Sequence, residues 1–179
     1  LPRRQRQMCV RDSGWELHPA MADLPALYAA VWAAGESHGI ADFGLYAMNS
    51  LRMEKGYRGW GAELTNEVTM LEADMARFFA SAKEDFVGKA ATENYEAGSL
   101  RLVYFEVEAQ DADVRGGEPI FVGDTCVGVT TSGGYGYAVE KSLGFGYVPS
   151  EQAEPGLVID IGLLDARCRA TVLAGPIYD

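Results

Sequence analysis

Apolar and polar positions change their period along the chain. Near the start, Trp15 and Leu17 alternate with Glu16 and His18, a two-residue period that predicts a strand within Cys9 to His18, closed by Pro19. Asp23-Leu24-Pro25 then has the form of an N-cap with proline in the first turn. Leu27, Tyr28, Val31 and Trp32 follow at helical spacing as far as Gly35. A second helix is predicted where Phe43, Ala47, Ser50, Leu51 and Glu54 fall on neighbouring faces, with Gly56 as its stop. Gly56, Gly59 and Gly61, beside Tyr57 and Trp60, make the stretch from Tyr57 to Thr69 a loop. Leu71 to Ala82 shows no clean period, and a short helix is expected from Phe86 to Tyr95, ending near Gly98.

Beyond Leu100 the texture becomes β-branched and aromatic. Six short runs, Leu100 to Glu108, Glu118 to Val122, Cys126 to Thr130, Leu143 to Val148, Leu157 to Ile161 and Ala166 to Leu173, are separated by turn-rich pieces such as Gly116-Gly117 and Glu154-Pro155-Gly156. Short strands at near-regular spacing predict a small antiparallel barrel or sandwich. Gly133, Gly134 and Gly136 lie between two of these runs with no P-loop lysine behind them, and are expected to form a turn. The fold class is thus α+β, with a boundary near Gly98: a basic leader over 1–11, disordered or atypical, an α+β domain over 12–98 and a barrel over 99–179.

Charge and composition narrow the function classes. With 179 residues, 48% of them hydrophobic, the chain has enough apolar material for a core, and disorder is excluded. A net charge of −11 disfavours bulk binding of nucleic acid. The apolar stretch Leu24 to Ala34 is broken by Pro25 and falls far short of the roughly 20 residues of a membrane span. Cys9, Cys126 and Cys168 are odd in number and widely spaced, which favours a reducing cytoplasm over a disulfide framework. With His18 and His38 as the only imidazoles, no metal site is expected. Arg3, Arg4, Arg6 and Arg11 supply four of the 15 basic groups without an apolar stretch behind them. They are not a secretory signal, but either an arm for an acidic partner or the ragged end of a longer chain.

Several blocks, in order, resemble one family: Ser13-Gly14-Trp15-Glu16-Leu17-His18-Pro19, Ala47 through Trp60 with Leu51-Arg52-Met53-Glu54-Lys55-Gly56-Tyr57 at its centre, Thr69-Met70-Leu71-Glu72-Ala73, and Asp85-Phe86-Val87-Gly88-Lys89. Gly128 through Gly136, Gly144-Phe145-Gly146-Tyr147-Val148 and Pro176-Ile177-Tyr178-Asp179 continue the series. Over Gly14 to Asp179 the chain resembles the C-terminal half of the folate-dependent aminomethyltransferases, which include the glycine cleavage T-protein. The wording around Arg52 is most similar to the folate module of dimethylglycine and sarcosine dehydrogenases.

The resemblance implies part of a ferredoxin-like folate-binding domain, strand-helix-helix, followed by the barrel. It implies a ring of three domains that binds tetrahydrofolate in a central channel and moves a one-carbon unit from an amine to the folate. Glu16 would recognise the pterin, whose ring N–H and exocyclic amino group are parallel donors for a carboxylate's two oxygens; the alternative is the solvent-facing member of an alternating strand. Asp12, four residues earlier, would lie on the same side of an extended chain. Arg52 would face the glutamyl tail or brace the channel wall, or else form a structural ion pair with an acidic neighbour. Tyr57 and Trp60 would stack on the pterin or aminobenzoyl ring, or serve as packing staples.

The same resemblance places the amine-orienting aspartate in the half that precedes this stretch, so no catalytic residue is assigned, and FAD enters only with an upstream oxidase domain. The expected partners are folate, the amine and upstream domains of the same polypeptide. A non-catalytic interaction or scaffold domain of a larger amine-oxidising enzyme is the alternative, and a role in RNA modification is a third reading that the −11 charge opposes. Asp74 departs from the pattern, standing where the family commonly has glycine.

Overall fold

The computed structural model describes residues 5–9, 14–95 and 98–178, and they divide into two compact units, Leu1–Phe43 and Gly44–Asp179. In the first, strand β1 (Gln5–Cys9) pairs antiparallel with β2 (Gly14–His18), Gln7 opposite Glu16. The leader expected to be disordered or atypical therefore contains a strand, because β2 offers its backbone groups a ladder. Helix α1 (Leu24–Gly35) starts with Pro25 in its first turn and Asp23 at the N-cap, though the aspartate side chain makes no capping bond. Gly39 ends the following 3-10 turn in the left-handed region, at φ 72°. None of the residues of α1 is buried; Leu24, Tyr28, Val31 and Trp32 are all exposed.

In the second unit, α2 (Leu45–Glu54) stops at Gly56, whose φ is 63°. Short turns lead to α3 (Lys89–Glu93), which is shorter than the expected Phe86 to Tyr95 and begins after Gly88 at φ 89°. The ammonium of Lys89 donates to the carbonyls of Ser81 and Lys83, at 3.1 and 2.6 Å, and so ties down the loop before it. Asp74 takes the left-handed conformation, φ 55°, and its carboxylate is paired with Arg58. A family glycine at this point is explained by that backbone, which aspartate tolerates better than most residues.

Strands β3 (Leu100–Val107), β4 (Pro119–Val122), β5 (Thr125–Gly136), β6 (Lys141–Pro149), β7 (Val158–Leu163) and β8 (Ala166–Val172) form a closed antiparallel barrel in the order β3-β6-β5-β4-β7-β8, with β8 pairing back on β3. The expected α+β class with a small barrel is what the chain adopts. Alternation sorts the strands into two layers. Val103, Phe105, Val107, Ile120, Val148, Ile159, Ile161 and Val172 belong to one core cluster. Leu102, Tyr104, Leu143 and Phe145 point the other way and meet Met53 of α2 in a second.

Glycines make both layers possible. A Cβ on Gly144 would lie 2.5 Å from the Phe105 ring, and one on Gly146 would lie 2.5 Å from Ile120. Gly133, Gly134 and Gly136, expected in a turn, are instead part of β5, which runs six residues beyond Thr130 past a register shift. They lack side chains because Cβ atoms there would press on Val114, on Asn49 and on Glu54, at 2.5, 3.0 and 2.9 Å. Whereas the sequence places a boundary near Gly98, the division into compact units falls before α2, which is fastened to β5.

The face of α2 that turns inward is not the apolar one. Ser50, Met53 and Glu54 are buried, while Leu45, Met48 and Leu51 are exposed. Asn49 Nδ2 donates to the Gly133 carbonyl at 3.1 Å and Ser50 Oγ to the Tyr135 carbonyl at 2.8 Å. The backbone N–H of Ala138 donates to Glu54 Oε1 at 2.7 Å. Polar side chains thus satisfy backbone groups of β5 and the turn behind it.

Two predictions test this packing. Gly144→Ala should lower the unfolding free energy by about 1–3 kcal/mol in urea titrations, whereas Gly175→Ala, with nothing within 4 Å of the added carbon, should change it little. Burial, together with the Glu63 and Glu72 charges, pushes the Tyr147 phenol up to about 12, and its hydroxyl donates to the Glu63 carbonyl at 2.8 Å. The unfolded phenol ionises near 10, so Tyr147's contribution is complete below that pH and is lost as pH rises from about 10 to 12. Tyr147→Phe should flatten that part of the stability-versus-pH curve, measured by urea unfolding at successive pH values.

Candidate functional site

The loop after α2 returns to its helix through a buried carboxylate. Gly59 N–H donates to Glu63 Oε2 at 2.7 Å, and the backbone N–H groups of Glu63 and Leu64 both donate to the Gly59 carbonyl, at 3.1 Å each. Glu63 is fully buried, so its charge needs compensation. Arg52 Nη1 lies 3.2 Å from Oε2, Thr131 Oγ1 donates to Oε1 at 2.7 Å, and Ser132 Oγ also donates to Oε1. Four donors from three separate segments therefore converge on one carboxylate.

Arg52 is fixed in turn. Its Nε donates to Asn49 Oδ1 at 2.9 Å, Nη1 to the Tyr57 carbonyl at 3.0 Å, and Nη2 to Ser132 Oγ at 2.9 Å. A guanidinium has five N–H groups, and these bonds with the Glu63 contact commit four, leaving one on Nη2. The structural ion pair considered for Arg52 is thus present, with Glu63 as the acidic partner, and it holds the guanidinium in a fixed orientation.

Arg52 and Ser132 line a cavity of about 700 Å³ between the outer side of α2 and strand β5. Tyr46, Tyr135 and Tyr137 supply aromatic walls, the last two edge to face with ring centroids 5.1 Å apart, and Asp113 and Arg115 also line it. Aromatic surface around the oriented Arg52 cation, with Arg115 on the same lining, suits a flat conjugated ligand that carries an anionic group.

The other sequence-based candidates are distributed as follows. Glu16 lies on β2 in the first unit, with its carboxylate 59% exposed and 3.3 Å from His18 Nε2. Asp12 lies outside the described residues. Tyr57 is half-buried, and its carbonyl serves Arg52. Trp60 is 80% exposed, bridges Leu64 through its backbone and is not among the residues lining the Arg52 cavity. Glu63, Asn49, Ser132 and the three tyrosines escaped the sequence reading. The block Thr131-Ser132-Gly133-Gly134 was the available signal, since two adjacent hydroxyls beside paired glycines supply donors next to a close backbone approach.

Comparisons agree with this architecture. The GCVT N-terminal domain matches residues 5–83, and the glycine cleavage T-protein C-terminal barrel domain matches residues 101–179. Human mitochondrial dimethylglycine dehydrogenase is 41% identical over 169 residues, covering 93% of this chain and 20% of that protein. The aminomethyltransferase of Corynebacterium aurimucosum is 32% identical, covering 93% of this chain and 46% of its own length. The crystal structure of the glycine cleavage system aminomethyltransferase T from Bartonella henselae superposes with a TM-score of 0.77 at 25% identity, over 91% of this chain and 46% of that one. The chain therefore spans about a fifth of the dehydrogenase and just under half of the aminomethyltransferases it matches. Matched at both its strand-helix part and its barrel, the chain belongs to the glycine cleavage T-protein family of aminomethyltransferases.

Proposed function

We propose that this chain is the reduced-folate-binding part of a one-carbon transferase, in which an amine such as glycine, sarcosine or dimethylglycine gives a one-carbon unit to tetrahydrofolate. The observation that carries the reading is the oriented guanidinium of Arg52 in an aromatic-walled cavity. Tetrahydrofolate supplies the nucleophilic nitrogen that receives the carbon. Each unit offers its own candidates: in the second, Arg52, with Tyr135 and Tyr137, holds the aminobenzoyl-glutamate end, and in the first, Glu16 is the candidate to accept the paired donors of a pterin. Tyr57 contributes through its carbonyl, which braces Arg52, and Asp12 stays a candidate beside Glu16. Trp60, as an exposed ring, is assigned to contacts with upstream segments of the polypeptide, where the amine-orienting group and any FAD-dependent oxidase would reside. The free thiols of Cys126 and Cys168 fit a reducing compartment, which we take to be the cytoplasm.

A second reading, a non-catalytic interaction piece of a larger amine-oxidising enzyme, is favoured by α1, whose Leu24, Tyr28, Val31 and Trp32 are all exposed.

Calorimetric titration with 5-formyltetrahydrofolate separates the two. The folate reading expects saturable binding that weakens about tenfold or more in Glu16→Ala and in Arg52→Lys, the loss of a charge-assisted hydrogen bond in each case. Absence of saturable heat in the unaltered chain would leave the interaction reading, and equal heats in Glu16→Ala would remove Glu16 from the site. The buried ion pair gives a separate expectation. Glu63→Gln should lower the unfolding free energy by about 2–3 kcal/mol in urea, because Arg52 then keeps its charge without a counterion. Folate affinity should fall as well, as the guanidinium loses its fixed orientation.

A further inference from the structure

A second cavity in the barrel unit, of about 440 Å³, shares no lining residue with the Arg52 cavity. In a chain of net charge −11, three of its lining residues are arginines: Arg58, Arg77 and Arg101. Arg58 is the fixed one. Its side chain is 9% exposed, Nη1 donates to the Gly56 carbonyl at 2.8 Å, Nη2 pairs with Asp74, and Nε is buried without an acceptor. Its guanidinium carbon also stands 5.5 Å from the centre of the Phe145 ring.

The other two are uncommitted. Arg77 lies over the Phe78 ring, 4.9 Å from its centre, which steadies the side chain without neutralising it. Among the described residues, neither Arg77 nor Arg101 makes an ion pair or a side-chain hydrogen bond. The acidic residues of the lining are Asp74, already engaged by Arg58, and the exposed Glu154. Guanidinium forks match the paired oxygens of carboxylates and phosphates, and two free forks beside a third, immobilised one favour an anion with more than one charge over chloride.

We propose that this cavity binds a compact oxyanion carrying two or more negative charges, held by Arg77 and Arg101 against the fixed charge of Arg58. Its source is either a phosphate compound or a dicarboxylate, both of which present the same paired oxygens. Glu154 opposes the anion and sets an upper limit on its charge density near that wall.

Calorimetry of the full chain at low ionic strength, with pyrophosphate in one arm and glutarate in the other, tests the proposal. One saturable site is expected for at least one of them, and the tighter arm identifies the source. Arg77→Gln and Arg101→Gln should each weaken it about three- to tenfold, the range for a charged hydrogen bond at a partly exposed position. Glu154→Gln should tighten it about twofold by removing a screened repulsion. With the tighter anion present at saturation, so that the dicarboxylate tail of the folate cannot enter the same cavity, none of the three should alter the titration with 5-formyltetrahydrofolate, and failure here is distinguishable from failure of the folate reading. No saturable heat from either anion, or arginine variants that bind as the unaltered chain does, would overturn the site. Binding that appears only in Glu154→Gln would overturn it for the native sequence, showing that Glu154 already neutralises the two arginines.

Discussion

The second unit depends on how a polar helix face reaches the outside of a closed sheet. Asn49, Ser50 and Glu54 bond to the backbone at Gly133, Tyr135 and Ala138. Those bonds require the helix to approach more closely than a side-chain-bearing strand permits. Gly134 and Gly136, where a Cβ would meet Asn49 and Glu54, remove the obstruction, and Met53 fills the apolar space alongside, against Leu143 and Phe145. The helix end, the glycine stretch of β5 and the aromatic outer face of β6 therefore form one packing unit. Arg52 projects from the helix beside it and is locked by Glu63 and Ser132.

That arrangement explains what the sequence disclosed and what it concealed. The barrel strands were legible because inward and outward positions alternate, with Val103, Phe105 and Val107 on one side and Leu102 and Tyr104 on the other. Helix α2 was legible as a helix, but its orientation was not. Hydropathy favours burial of Leu51, yet hydrogen bonds to an adjacent strand orient Ser50 and Glu54 inward instead. The glycines of β5 read as a turn for a related reason, since a close approach by another backbone element leaves the same local signature as a tight bend. Local sequence carries no record of a neighbour 84 residues away in the chain, the separation between Asn49 and Gly133.

The site shows the same division. Arg52 stood out through the resemblance, whereas its counterion Glu63 lay in a stretch read as loop, where a carboxylate is ordinarily solvated. Burial of Glu63 is intelligible only once Arg52, Gly59 and the Thr131-Ser132 pair are brought to it by three different segments. Asp74 is the converse case: it stands where the family pattern has glycine, and its backbone at φ 55° is the physical content of that departure. Its carboxylate compensates by holding Arg58, a contact that a glycine has no side chain to make.

Closure of the barrel joins its first strand to its last, with Phe105 beside Val172 and Val107 beside Ala170. On the ribosome, this ladder has to wait until β8 has emerged, and β3, once paired with β6, meanwhile presents one unpaired edge to its surroundings. The barrel is thus open along a single seam until its last strand is made, and completing that seam is a late, long-range step that renders the edge unavailable to other chains.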